Sequence, residues 1–174
     1  PELKGRESAG HLQVDYRRGV FESRTAYLDV GEDFNPEVGF VPREGIRRFR
    51  THFRYRPLVT RSWIRRYSIG PEFTYLTDLD GQLLTRNFGF SAFVNLEGND
   101  WIGLRFRQRL EHLDDPFEIH DDIEVPATEH TFTSYSLNFN SDDGRRFSID
   151  GTIEVGDFWS GERIRFSTDG TANI

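Results

Sequence analysis

Alternation of apolar and polar residues with a period of two is the feature that most constrains the fold of this chain. In residues 48–56 the odd positions are Phe49, Thr51, Phe53 and Tyr55, and the even positions are four arginines and a histidine. Because successive side chains of a strand point to opposite faces, this segment would have one mainly aromatic face and one cationic face. The same alternation recurs along most of the chain, so the sequence predicts an all-β protein.

The alternation predicts nine strands, joined as an antiparallel up-and-down meander. They cover approximately residues 12–17, 20–30, 46–56, 61–79, 82–96, 101–111, 130–140, 145–155 and 162–169. We expect a bulge or a break in the fourth of these, at Gly70-Pro71. Several of the strands have ten residues or more, and a strand that crosses a membrane needs about 9–11.

The links between the predicted strands sort by length. The first, third, fifth and seventh links are tight, at residues 17–19, 57–60, 97–100 and 141–144. The second and sixth, roughly 31–45 and 112–129, are long. Because successive links of a meander lie at opposite ends, one end would have only tight turns and the other all the long loops. Outer-membrane barrels have this asymmetry, so we interpret the chain as a segment of an outer-membrane-type β-barrel.

A soluble protein offers an alternative to the membrane barrel. An antiparallel β-sandwich also alternates apolar and polar faces, and so does a small-barrel ligand-binding module. Alternation does not say whether the apolar face meets lipid or a second layer of protein. A soluble fold would enclose the apolar-face residues Phe49, Phe53, Phe88, Phe90, Leu104 and Phe106. Strand length and loop asymmetry favour the barrel.

Large aromatic residues lie near the ends of several predicted strands. They are Trp63, Trp101 and Trp159, with Tyr55, Tyr67 and Phe158 close by. Membrane barrels have girdles of aromatic side chains at both lipid–water boundaries. We therefore interpret these residues as part of such a girdle, against the alternative of ordinary aromatic side chains that cover the edge of a core.

The net charge of −7 argues against a nucleic-acid partner. Charge is nevertheless uneven, because residues 43–66 contain nine arginines and a single acid. In a barrel the polar face points inward, and arginines there would pair with carboxylates or attract anions. The candidate lumen-facing binding residues are Arg50, Arg54, Arg105, Arg107 and Arg109. The alternative is a solvated face of a soluble sheet.

Residues 111–130 contain eight acids and neither lysine nor arginine. Carboxylate oxygens are the ligands that calcium prefers, so Asp114, Asp115, Asp121 and Asp122 are candidate calcium ligands. Their spacing does not match the EF-hand pattern, and a solvated acidic loop is the alternative. A zinc site would draw on His112, His120 and His130. The sequence predicts no other cofactor.

Catalysis has little support in the sequence. The chain contains no cysteine, no Gly-x-Ser-x-Gly elbow and no phosphate-binding glycine loop. A pair of carboxylates could hydrolyse a glycoside, but 29 acidic residues guarantee chance pairs. We therefore favour a non-enzymatic role for this segment, with part of a glycan-acting hydrolase as the alternative.

One stretch carries a family resemblance. Residues Gly31 to Arg43, GEDFNPEVGFVPR, resemble a segment of a family of bacterial surface proteins. Those proteins have an N-terminal domain similar to family 9 carbohydrate-binding modules, followed by a C-terminal β-barrel-like domain of unknown function. Arg56-Pro57, Asp80-Gly81 and the turn at 156–161 also fit. Only positions 31–43 carry over, as a family signature.

The resemblance implies that this chain is part of the C-terminal domain and that the carbohydrate-binding part lies upstream. Some family members are labelled as glycoside hydrolases. We expect residues 1–174 to be a single, incomplete barrel segment with more strands outside it. The expected location is the outer membrane in the cell envelope of a Gram-negative bacterium. There the segment would contact membrane lipid and anchor a carbohydrate-binding surface protein, with a part in glycan binding or uptake.

The signature segment also has a local interpretation. Proline pushes the residue before it out of the helical region, so Phe34-Asn35-Pro36 predicts an extended path and then a turn. We interpret the segment as a structured outer loop or as a plug that folds inward. An ordinary loop between two strands is the alternative.

Overall fold

The computed structural model describes residues 5–35, 43–61, 63–113, 116–120, 123–159 and 161–173. This part of the chain is all-β. Its strands are β1 (Ala9–Arg18), β2 (Phe21–Val30), β3 (Ile46–Tyr55), β4 (Leu58–Arg61), β5 (Ile64–Asp78), β6 (Leu83–Leu96), β7 (Trp101–His112), β8 (Phe117–His120), β9 (Ile123–Val125), β10 (Glu129–Asn140), β11 (Phe147–Phe158) and β12 (Gly161–Ala172). Among these residues, no helix has the length and apolar character that a membrane span requires.

Nine of the strands form one antiparallel sheet in the order β1-β2-β3-β5-β6-β7-β10-β11-β12. These nine are the predicted strands, and the up-and-down meander is confirmed. The short strand β4 pairs with β5, and β8 and β9 form a separate hairpin. The sheet is open, because β1 and β12 each have one strand neighbour in the described part of the chain.

The links at the two ends of the sheet differ in length, as predicted. The tight-turn end contains residues 19–20, 97–100, 141–146 and the link from β3 to β5, and the long-loop end contains the links from β2 to β3 and from β7 to β10. Two details of the prediction were wrong. The link after β3 contains the extra strand β4, which folds back on the start of β5. The second long loop contains the hairpin of β8 and β9, whose strands of four and three residues are too short to give a clear alternation.

The predicted bulge or break at Gly70-Pro71 is confirmed as a break on one side of β5, because the pairing with β3 is interrupted between His52–Glu72 and Tyr55–Ile69 without a change of register. No bulge is present at these two residues on the side of β6. Strand β5 keeps its register there, with Gly70 opposite Ser91 and Pro71 opposite Phe90. The shifts between β5 and β6 lie instead near the two ends of β5. Gly70 permits a close approach of β5 to β3, because a Cβ atom at this position would overlap the carbonyl oxygen of Phe53 on β3. The missing side chain lets the two backbones approach closely without a bulge.

Strand register divides the side chains between two faces, because directly opposed residues share a face. The apolar face includes Leu12, Val14, Phe21, Tyr27, Phe49, Phe53, Tyr55, Ile69, Phe73, Tyr75, Phe88, Phe90, Ala92, Val94, Ile102, Leu104, Phe106, Tyr135, Leu137, Ile153, Val155, Ile164 and Phe166. The polar face carries the arginine rows, together with Asp15, Glu22, Ser68, Ser91, Asn95, Ser134, Asn138 and Glu154.

The described chain places no second layer over the apolar face. Phe49, Phe53, Phe88, Phe90 and Leu104 are 38–59% exposed, and Phe106 is partly exposed. The accessible surface of the chain is 12607 Å², whereas a compact monomer of this mass would have about 8,800 Å². The chain is therefore a single-layer sheet without a core of ordinary size.

A small apolar cluster lies at the long-loop end of the polar face. Val30, Ile46 and Leu84 are buried, and Leu28, Leu76 and Phe34 pack against them. Phe34 belongs to the signature segment, so the described part of that segment folds towards the polar face, as an inward plug would. The backbone N–H of Gly31 donates to the carbonyl of Ser8 at 2.9 Å. Residues 36–42 of the segment lie outside the described residues.

Candidate functional site

All five predicted binding arginines lie on the polar face, but they do not form one site. Arg54 and Arg105 line a cleft at the tight-turn end. Arg107 and Arg109 line another cleft at the long-loop end. Arg50 lies in a third cleft, where it joins Arg24 and Arg48. Register causes this separation, because it decides which positions of neighbouring strands meet.

The cleft at the tight-turn end, here called the tight-turn cleft, has a volume of about 420 Å³. Ligand sites of proteins commonly have volumes of ~300–1,000 Å³. Strands β3, β5, β6 and β7 and the residue after β3 supply its walls. The lining residues are Arg54, Arg56, Arg66, Ser68, Phe93, Asn95, Trp101 and Arg105. The cleft therefore combines four guanidinium groups with two aromatic rings, and it has no acidic lining residue.

Most of the positive charge in the tight-turn cleft is unpaired. Arg56 donates to Glu22 at 2.5 Å, but its Nε is buried and has no partner in the described part of the chain. The guanidinium groups of Arg54, Arg66 and Arg105 make no hydrogen bond or ion pair with any described residue. Guanidinium groups without carboxylate partners attract anions, and their planar fork suits carboxylate, sulfate and phosphate groups.

Aromatic rings form one wall of the tight-turn cleft. Phe93 and Trp101 meet edge to face, with ring centroids 5.9 Å apart. The guanidinium carbon of Arg105 lies 5.9 Å from the Phe93 ring centroid, within cation–π range. Phe93 lies directly across from Gly103 on β7, and a Cβ atom on that glycine would overlap the Phe93 ring. Gly103 therefore provides the space that the ring occupies.

Two neighbouring turns are cross-linked at the rim beside this cleft. Asn99 donates to Asp142 at 2.6 Å, and Arg145 donates to Asp100 at 2.6 Å. The backbone N–H of Asp142 also donates to Asp100, at 3.0 Å. Arg65 adds a hydrogen bond to Asn99 at 2.8 Å. These bonds tie the turn before β7 to the turn before β11 and fix the position from which Trp101 projects.

The cleft at the long-loop end, here called the long-loop cleft, has a volume of about 290 Å³ and balanced charges. Its lining includes Arg107, Arg109, Arg163 and the acids Glu111, Glu154 and Asp157. Arg109 pairs with Glu111, and Arg163 pairs with Glu154 at 2.5 Å. Because two of its three arginines have carboxylate partners and its lining holds as many acids as arginines, this cleft attracts anions less than the tight-turn cleft does.

The predicted aromatic girdle was partly wrong. Trp63, Trp101 and Trp159 do lie at strand ends. Register, however, places Trp101 opposite Asn95 and Asn140, on the polar face. Trp159 and Phe158 also line the long-loop cleft. On the apolar face, the aromatic group at the tight-turn end consists of Phe21, Phe53, Tyr55 and Tyr67, with successive ring centroids 5.2–6.1 Å apart.

The metal predictions stay untested. Asp114, Asp115, Asp121 and Asp122 lie outside the described residues. Of the three histidines considered for zinc, His120 has a side chain that the structure does not describe. Within the described residues, no group of three or more His, Asp or Glu side chains is arranged to hold a metal ion.

Six lining residues of the tight-turn cleft were not among the predicted binding residues: Arg56, Arg66, Ser68, Phe93, Asn95 and Trp101. The alternation in residues 84–96 places Phe93 on the same face as Ser91 and Asn95, and the register agrees. This aromatic residue on an otherwise polar strand face is the signal from which the site could have been found. No protein-family model, curated protein or solved structure matches this chain, so the family resemblance of residues 31–43 stays a prediction.

Proposed function

We propose that this chain is part of a β-barrel in the outer membrane of a Gram-negative bacterium, with its apolar face towards lipid. The observation that carries the proposal is the uncovered apolar face of a single-layer antiparallel sheet. Water would be a poor solvent for so large a continuous apolar surface, and soluble monomers rarely expose patches above a few hundred Å². Lipid is the partner whose chemistry suits it.

The height of the apolar face supports this proposal. Along β6 it runs from Phe88 to Leu96, about 27 Å of strand at ~3.4 Å per residue. Strands of outer-membrane barrels tilt by about 40°, which reduces this to about 20 Å, close to their apolar band of ~25 Å. The short links at one end and long links at the other also agree with this class of barrel.

The resemblance of residues 31–43 extends the proposal to the whole parent protein. The barrel would anchor a surface protein that binds carbohydrate, and its polar face would line a path or a binding surface for glycans. The inward packing of Phe34 at the long-loop end supports a plug-like role for the signature segment.

Fractionation of cells that make the full-length parent protein tests the location. We expect recovery from the envelope fraction only after detergent extraction. Recovery in the soluble fraction without detergent would contradict the proposal and favour a soluble β-sandwich or small barrel.

Cysteine labelling tests the orientation of the faces, because this chain contributes no cysteine of its own. Phe90→Cys and Ser91→Cys place a thiol on adjacent positions of β6 but on opposite faces. In the full-length protein reconstituted in lipid, we expect a water-soluble maleimide to react at position 91 and not at position 90. Equal reaction at both positions would exclude lipid contact at the apolar face.

A further inference from the structure

We propose that the tight-turn cleft binds an acidic saccharide, a sugar that carries a carboxylate or a sulfate ester. The guanidinium groups of Arg54, Arg66 and Arg105 would hold the acidic group, and Trp101 and Phe93 would pack against the sugar ring. This inference rests on the proposed function in one respect: it takes the polar face as a water-filled surface open to solutes.

The unpaired charge of the cleft indicates an anion. Three arginines on β3, β5 and β7 line the same cleft without a carboxylate partner among the described residues, and the buried Nε of Arg56 has an unused donor. Like charges at such close quarters repel one another, and a bound anion relieves the repulsion. The long-loop cleft differs, because Glu111 and Glu154 pair with two of its three arginines, Arg109 and Arg163.

The aromatic wall distinguishes a saccharide from a simple anion. Sugars present C–H groups on the faces of their rings, and these pack against aromatic side chains. Phe93 and Trp101 lie on a face whose other strand positions are mainly charged or hydroxyl-bearing. An inorganic anion would make no use of them. The volume of about 420 Å³ suits a small molecule and not a polymer cross-section such as a nucleic-acid duplex.

Binding of defined oligosaccharides to the detergent-solubilised full-length protein tests the inference. The probes are trigalacturonic acid, a sulfated galactose trisaccharide and the uncharged form of each, measured by isothermal titration calorimetry. We expect at least one acidic probe to bind, its uncharged form to bind about tenfold more weakly or not at all, and added salt to weaken the binding.

Variants assign that binding to the cleft. Arg54→Gln and Arg66→Gln should each weaken binding of the acidic probe by about tenfold. Trp101→Ala should also weaken it, because most of the aromatic contact with the sugar ring is lost. Trp101→Phe keeps a ring and guards against a folding defect, with an intermediate loss expected. The matched control is Arg165→Gln, which makes the same change on the polar face of β12, away from the cleft, and should bind normally.

Three results would overturn the inference: no binding of either acidic probe, equal binding of the acidic and uncharged forms, or unchanged binding by the Arg54, Arg66 and Trp101 variants. Competition by inorganic sulfate together with indifference to Trp101→Ala would reduce the site to a simple anion site. Fractionation separates the two proposals. A soluble parent protein that binds the probe refutes the membrane location alone, and an envelope protein that does not bind refutes the saccharide site alone.

Discussion

The two faces of this sheet are built from the same strands, yet they differ in how their side chains find partners. The apolar face has aromatic and aliphatic residues on each of the nine strands of the meander, and nothing in the described chain covers it. The polar face satisfies many of its groups internally, through pairs such as Arg56–Glu22 and Arg163–Glu154. The apolar face must therefore be covered by something outside the described chain, whereas strand register lets the polar face pair many of its charges within the sheet.

Introducing a charge on each face should give the largest difference between the faces in the free energy of unfolding. Ala92 and Ser91 are neighbours on β6 that point to opposite faces. In the full-length protein in bilayers, Ala92→Arg should lower the free energy of unfolding by about 2–4 kcal/mol, because it places a charge near the middle of the apolar band. Ser91→Arg is the matched control and should change it by less than about 0.5 kcal/mol. Equal losses of stability for the two variants in denaturant titrations would show that the two faces have similar surroundings, against this proposal.

Truncation of a single apolar side chain should have the next largest effect. Leu104 is 59% exposed in the described chain. If lipid covers it, Leu104→Ala should cost about 2 kcal/mol, the transfer free energy of the lost carbon atoms without a cavity. Denaturant titration in bilayers measures this, with Ser91→Ala as the control. A cost near zero would indicate contact with water, and a cost of about 4 kcal/mol or more would indicate a cavity beneath a protein layer.

On the polar face, loss of a counter-ion should have a smaller effect. Glu22 lies 2.5 Å from Arg56 and 3.6 Å from Arg17. Glu22→Gln should lower the free energy of unfolding by about 1–2 kcal/mol, because a charge-assisted hydrogen bond is lost. It should also strengthen anion binding in the tight-turn cleft. Asp169→Asn, on the exposed edge strand β12, is the control, and an equal loss there would show that the Arg56 pair is unimportant.

The smallest expected effect concerns pH at the tight-turn end. Hydrogen bonds from Asn99 and from the backbone of Gly144 lower the pKa of Asp142 from its usual value. Because the folded pKa is the lower one, the turn gains stability above the unfolded pKa and loses it as the pH falls through the folded pKa. The protection factors of residues 141–146, which are the exchange rates of the unfolded chain divided by the observed rates at the same pH, should therefore fall in acid. Asp142→Asn should remove that dependence, and its persistence in the variant would contradict this assignment.

Much of the fold could be predicted from the sequence, because the alternation within each strand assigns its residues to two faces. The period of two in residues 48–56 assigns every side chain there to a face without knowledge of its neighbours. The order of strands followed from short links, which make sequence neighbours into sheet neighbours. The β8–β9 hairpin and strand β4 were not predicted, because strands of three or four residues are too short to show a clear alternation.

The candidate site was harder to predict, because it depends on relations between strands. Register brings Arg54 of β3 to the same cleft as Arg105 of β7, while Arg107, two residues further along, belongs to the long-loop cleft. Trp101 was assigned to a lipid boundary because it lies at a strand end, but its parity relative to Asn95 decides its face. A shift of one residue reverses such an assignment.

The meander described for this sheet has a consequence for how such a protein could change over time. Every neighbour pair in the sheet is joined by one link, so contacts remain local along the chain and each hairpin is a repeatable unit. Duplication or loss of one hairpin would alter the circumference of a barrel, which grows with strand number, and would leave the remaining pairings intact. The width of a barrel could then change through the number of hairpins. Its selectivity could change separately, through substitution of inward-facing side chains.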